Sequence, residues 1–146
     1  APKTINNMRT LFNYSDARTM CHKLKSDDSL AILQVAGELS RLVKPSDVLV
    51  PVPGHSGQAS YMLAVADRLH ELTGCEVVDV IRGAQRPTWY SAKMNGRQMD
   101  FGLWLEKQPR GHIVLLDNVI DTGRTMKECL RLLPNAEIMA YALVSK

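Results

Sequence analysis

A chain of 146 residues, 45% hydrophobic and 23% charged, is long enough for one domain with a buried core and has an ordinary globular composition. No apolar run approaches the roughly 20 residues a membrane span needs, and the opening residues lack the charged start and apolar stretch of a secretory leader. A cytoplasmic protein without membrane contact is therefore expected.

The net charge of +3 is unevenly spread. Its surplus lies in residues 82–110, where Arg82, Arg86, Lys93, Arg97, Lys107 and Arg110 meet only Asp100 and Glu106. A basic segment of this kind suits an anionic ligand such as a polyphosphate, or else it is a solvated loop. Cys21, Cys75 and Cys129 are far apart and form no Cys-x-x-Cys pair, so buried reduced thiols are expected rather than a zinc ribbon or a disulfide framework.

Residues 16–25 predict a short helix after a Ser15/Asp16 cap, with Ala17, Met20, Cys21 and Leu24 at helical spacing. Residues 29–43 predict a longer amphipathic helix, stopped by Pro45. Together, residues 1–44 read as an N-terminal helical segment. Residues 47–52 are a short, continuous apolar run, the mark of a strand buried on both faces. A turn at 53–57 leads to a helix over 58–72, closed by Gly74. Residues 75–81 predict a second buried strand. Residues 82–111 lack periodicity, and a gap of that length belongs more often to a lid than to a passive connection; Trp89, Tyr90, Phe101 and Trp104 could fold it into a hairpin. A strand at 112–116, a helix at 124–133 and a strand at 137–144 complete the pattern.

Alternating strands and helices imply an α/β single domain over residues 1–146, with a parallel sheet covered by helices on both faces. Ligands bind such sheets beyond the carboxyl ends of the strands, where the turns 53–58 and 117–125 both fall.

The segment Val114-Leu115-Leu116-Asp117-Asn118-Val119-Ile120-Asp121-Thr122-Gly123-Arg124-Thr125 carries the chemistry. An apolar strand ends in acidic and amide side chains, and a Thr-Gly-x-Thr turn opens a helix. Unpaired amides at a helix start, with the positive end of the dipole, form a ready phosphate site. Thr122 and Thr125 can donate hydroxyl hydrogen bonds, and Asp117 and Asn118 can accept them from a sugar diol.

This pattern resembles the signature of the type I phosphoribosyltransferases at every position but one, the second acid being Asn118. The resemblance implies a Rossmann-like phosphoribosyltransferase fold with a flexible lid or hairpin. Residues Asp117, Asn118, Asp121, Thr122, Gly123, Arg124 and Thr125 then hold the ribose and 5-phosphate of phosphoribosyl pyrophosphate. Gly54, His55, Ser56 and Gly57 form the pyrophosphate loop, which contains no Lys or Arg; Arg82 and Arg86 are candidates to meet that charge, with Lys93 and Arg97 closing from the lid. For each of these basic residues a solvated surface role stays open. Asp121 and Lys93 are the candidate catalytic residues, Asp121 by analogy with an Asp that meets the base in the 6-oxopurine enzymes.

The segment Asp47-Val48-Leu49-Val50-Pro51-Val52-Pro53 also looks like the ComF-type branch, without its N-terminal zinc finger. The implied activity is transfer of a phosphoribosyl group to a nitrogenous base with release of pyrophosphate. The alternatives are a catalytically weakened nucleotide- or donor-binding regulator, or a protein of DNA uptake that contacts nucleic acid. The implied cofactor is Mg²⁺ carried on the donor, near Asp117, without a protein ligand set of its own. The implied partners are the small-molecule donor, a base or nucleotide, and a second copy of the chain in a homodimer.

Overall fold

A computed structural model describes residues 7–54, 60–83 and 102–145. Five strands form one sheet in the order β1 (Met8–Asn13), β7 (Glu137–Leu143), β6 (His112–Ile120), β2 (Asp47–Pro51) and β3 (Glu76–Val77). Every pairing in it is parallel, so the carboxyl ends of all five strands share one edge.

The central strands are apolar on both sides because both sides are covered. One face packs Leu49, Val114, Leu116 and Met139 beneath helices α1 (Tyr14–Lys25), α2 (Ser29–Leu39) and α3 (Ser60–Thr73). The other packs Val50, Leu115, Ile138 and Ala140 beneath α4 (Arg124–Leu132) and a two-stranded hairpin of β4 (Ile81–Arg82) and β5 (Trp104–Leu105). The fold is thus α/β with helices on both faces, as the alternating pattern requires. All three cysteines are buried and lie outside any disulfide.

Helix α1 buries Ala17, Cys21 and Leu24, the stripe its spacing predicts. Its start is two residues earlier than predicted, with Asn13 rather than Ser15 or Asp16 at the N-cap and no side-chain cap bond. A tight link with Asp27 at φ 63° then turns the chain into α2, whose first amides, Leu30 N and Ala31 N, donate to the Asp28 carboxylate at 3.0 and 3.1 Å. Helix α2 stops at Leu39 and tightens into a 3₁₀ turn, Ser40–Leu42, so the predicted helix 29–43 ends on a different helical form ahead of Pro45. Helix α3 ends as expected at Gly74, which takes φ 78° while its amide donates to the His70 carbonyl at 2.9 Å.

Three departures from the sequence reading have physical causes. Residues 8–13 form a strand inside the segment read as helical, because pairing with β7 supplies a sheet edge that local periodicity does not reveal. Residues 75–81 are not one strand: only Glu76 and Val77 pair with β2, and Ile81 and Arg82 turn away to pair antiparallel with Leu105 and Trp104. The intervening Asp79 accepts from Arg82 Nη1 at 2.9 Å, a charged pair that a strand buried on both faces could not accommodate. Finally, β6 does not end at Leu116. Its pairing with β2 stops there, but pairing with β7 continues to Ile120, carrying Asp117 and Asn118 on strand backbone.

At the amino ends of the strands the sheet is pinned by charge. Asp47 is fully buried; its carboxylate accepts from Arg9 Nη1 at 2.7 Å and from the Lys44 amide at 2.7 Å. The same guanidinium bonds Glu137, which also meets His112 Nε2 at 2.9 Å. The hydrogen bond from His112, then those from Asn7 and Arg9, pull the Glu137 carboxyl down to about 2. A depressed carboxyl stabilises the fold above its ordinary value of 4.5, and that contribution is lost as pH falls toward 2. Acid titration followed by circular dichroism is expected to show this loss in that window. Arg9→Ala strands the buried Asp47 charge, and chemical denaturation at pH 7 is expected to show a cost of about 3–5 kcal/mol.

Candidate functional site

A cavity of about 400 Å³ opens at the carboxyl end of β6 and β2. Its floor is the continuous stretch 117–126, which runs from the end of β6 through the turn into α4. One wall is Val52, Pro53 and Gly54, the exit of β2, with Tyr61 of α3 behind it. The other wall is α1, through Tyr14, Cys21, His22 and Lys25. Those residues span the twelve positions of α1, eleven steps or about 16 Å of helix, so α1 lies along the cavity rather than pointing at it.

The turn has the geometry of an anion cradle. Gly123 takes φ 79°, ψ 6° at the N-cap of α4, a left-handed conformation that side-chain-bearing residues adopt only with strain. A Cβ at this position would meet nothing within 4 Å, so the need for glycine is conformational, not steric. No side chain caps the helix from the N-cap position. The first backbone bond of α4 runs from the Lys127 amide to the Gly123 carbonyl at 2.8 Å, leaving the Thr125 and Met126 amides ahead of the helical ladder. Thr122 Oγ1 accepts from the Arg124 amide at 3.3 Å, a long bond that orders the turn without filling it.

Asp117 and Asn118 occupy different environments although they are adjacent. The Asp117 carboxylate is half-buried, faces the cavity and accepts from the Asn118 amide at 2.8 Å. Burial pushes its carboxyl up to about 7, only partly offset by that amide. Tyr61 stands close enough that burial, then the Asp117 charge, push its phenol up to about 12. Asn118 is only 4% exposed, and its Nδ2 donates to the Cys21 carbonyl of α1 at 3.1 Å. Its buried Oδ1 has no hydrogen-bond partner among the described residues. The second position of the acid pair therefore ties α1 to β6, a role that spacing alone does not reveal.

Asp117, Asn118, Asp121, Thr122, Gly123, Arg124, Thr125 and Gly54 all line this one cavity. Arg82 does not line it; its guanidinium bonds Asp79 at 2.9 Å and Glu106 at 3.0 Å in the β4–β5 hairpin. His55, Ser56, Gly57, Arg86, Lys93 and Arg97 lie outside the described residues. The helix residues His22 and Lys25, both exposed, also line the cavity. The basic stripe Arg18, His22, Lys25 at helical spacing was the available signal. Among the described residues no group of three or more His, Cys, Asp or Glu side chains could hold a metal ion, and no helix is long and apolar enough to cross a membrane.

No protein-family model matches the chain, and no curated protein matches it. Among solved structures it is similar to a hypoxanthine-guanine phosphoribosyltransferase of Bacillus anthracis, at 12% identity and a TM-score of 0.43, covering 98% of this chain and 73% of that one. It is also similar to a hypoxanthine phosphoribosyltransferase of Staphylococcus aureus, at 12% identity and a TM-score of 0.42 over 91% of this chain and 64% of that one. A hypoxanthine-guanine-xanthine phosphoribosyltransferase aligns at 16% identity and a TM-score of 0.38, over 92% of this chain and 65% of its own. Likeness of this degree assigns neither a substrate nor an activity.

Proposed function

We propose that the chain is a phosphoribosyltransferase that binds phosphoribosyl pyrophosphate at the end of β6 and transfers its phosphoribosyl group to a nitrogenous base. The observation that carries this reading is the seating of the whole stretch 117–125 on one cavity, where the start of α4 lies beside a half-buried carboxylate. A phosphate suits the Thr122–Thr125 side chains and the first amides of α4, since N–H groups and dipole act together there. A ribose diol placed next to it meets the Asp117 carboxylate, which accepts hydrogen bonds in its ionised form.

In the reaction the bond from ribose C1 to pyrophosphate breaks as a bond to the base nitrogen forms. Positive charge builds on the ring and negative charge on the departing group, so positioning and electrostatics are the protein's contribution. On this reading Asp117 stabilises the ring charge and Asp121 meets the base; both line the cavity, Asp121 as an exposed residue. Mg²⁺, held mainly by the donor's own oxygens and approached by Asp117, would neutralise the leaving group. Asp117 would offer such an ion an oxygen donor on the cavity, while the Asn118 amide is bonded to the Cys21 carbonyl of α1.

Calorimetric titration with phosphoribosyl pyrophosphate and Mg²⁺ tests the reading. Thr125→Val removes the hydroxyl at constant shape, and a fall in affinity of about ten-fold is expected from loss of a hydrogen bond to a charged group. Unchanged affinity with an intact fold would overturn the placement of the phosphate.

A second reading has one observation in its favour. Because Asn118 is neutral and bonded to Cys21, a single acid remains for the diol, as in a protein that binds the donor to sense it. Pyrophosphate release with a panel of bases separates the two: turnover supports the enzyme, and binding without turnover supports the sensor.

A further inference from the structure

If the phosphoribosyl donor is the ligand, its diphosphate carries most of the negative charge, and the family-like loop that begins at Gly54 brings no Lys or Arg to meet it. Arg82 is held by Asp79 and Glu106 in the hairpin. Among the described residues that line the cavity, the basic side chains are His22, Lys25 and Arg124. Arg124 belongs to the phosphate turn itself. The remaining two come from α1, an element the motif does not contain.

Resting on the donor reading above, we propose that α1 is a built part of the ligand site, in which Lys25 supplies positive charge and His22 a hydrogen-bonding ring to a wall that receives the diphosphate of the donor. Several observations converge on it. Both side chains line the same cavity as the phosphate turn and Gly54, and both are solvent-accessible, as ligand-facing groups must be. Lys25 makes no ion pair among the described residues, so its charge is uncommitted. The His22 ring is oriented: its Nε2 lies 2.9 Å from the Tyr14 hydroxyl, and Tyr14 carries the Arg18 guanidinium 5.5 Å from its ring centroid. Helix α1 is fastened to the floor by the Asn118 bond to the Cys21 carbonyl, one residue before His22. The tether that replaces the usual second acid thus holds in place the helix that carries the replacement charge.

Basic residues in the last turn of a helix also complement its dipole, and Lys23 does so without lining the cavity. Lys23→Ala is therefore the control that separates a ligand role from a helix-end role.

The test compares two ligands on the full chain by calorimetry: phosphoribosyl pyrophosphate with Mg²⁺, and ribose 5-phosphate, which lacks the diphosphate. The double variant Lys25→Ala/His22→Gln is expected to lose about ten-fold or more of its affinity for the first and less than about two-fold for the second. Lys23→Ala is expected to change neither. The lost affinity should also carry salt dependence, with the wild-type slope against ionic strength reduced in the double variant. The inference is overturned if the double variant binds the diphosphate ligand as the wild type does, or weakens both ligands equally. Wild-type protein that binds neither compound overturns the donor reading itself. A double variant that unfolds would be replaced by Lys25→Met, which keeps the aliphatic stem and removes the charge.

Discussion

Replacing Asp117 with Asn is expected to make the protein more stable and less able to bind its ligand. Burial raises the Asp117 carboxyl to about 7, against an ordinary value of 3.8. A carboxyl raised on folding favours the folded state most below its unfolded value, and that advantage is lost as pH rises through about 7. Keeping it ionised at pH 8 costs on the order of 4 kcal/mol. Asparagine is nearly isosteric, has no charge to desolvate, and can still accept from the Asn118 amide. Thermal melts at pH 8 should show Asp117→Asn about 5–10 °C above the wild type, with the gap closing as pH falls to about 4. Calorimetry should show affinity for phosphoribosyl pyrophosphate reduced about ten-fold or more, because the charge-assisted bond to the diol is gone. A variant that is no more stable at pH 8, or that keeps full affinity, would remove Asp117 from the ribose site. Stability given up at one carboxylate is the mark of a group retained for binding.

Asn118→Asp should have the opposite and larger structural effect. The resemblance to the phosphoribosyltransferase signature suggests that restoring an acid here would strengthen ribose binding. The tertiary structure argues otherwise. Position 118 is buried, its Nδ2 donates to the Cys21 carbonyl, and the Asp117 carboxylate is next to it. An ionised carboxylate there would face a carbonyl oxygen, lose its donor and add a second negative charge beside the first. Uncompensated burial of that kind costs about 3–5 kcal/mol, more than the roughly 1.5–3 kcal/mol that a hydrogen bond to a charged group contributes. Denaturant titration at pH 8 should show a loss of that size, recovered in part at pH 5, where the introduced carboxyl is protonated and can donate to Cys21. Hydrogen exchange should show α1 losing protection before the central strands. If Asn118→Asp is as stable as the wild type and binds the donor more tightly, the amide is not the tether described here.

Much of the molecule was legible without coordinates because its signals are local. The apolar run 47–51, the helical stripe of Ala17, Cys21 and Leu24, and the Gly74 stop each follow from neighbours within a few residues. So does the turn that opens α4, since a helix start offers its amides whatever the rest of the fold does. The polar pair Asp117–Asn118 read as a turn for an equally local reason, as polar residues after an apolar run usually leave a strand. They remain on β6 because β7 continues beside them and α1 satisfies Asn118.

What the amino-acid sequence determined by itself is the helices, the central apolar strands and one chemical motif, for these depend on periodicity and on the chemistry of adjacent residues. Only the tertiary structure decided that residues 8–13 are an edge strand, that Arg82 serves a hairpin and that α1 lies along the cavity. Each of those depends on partners at a distance: β7 is some 130 residues from β1, and Cys21 is 97 residues from Asn118. Contacts of that separation leave no period in the chain, because what selects them is the burial and hydrogen bonding of the assembled sheet.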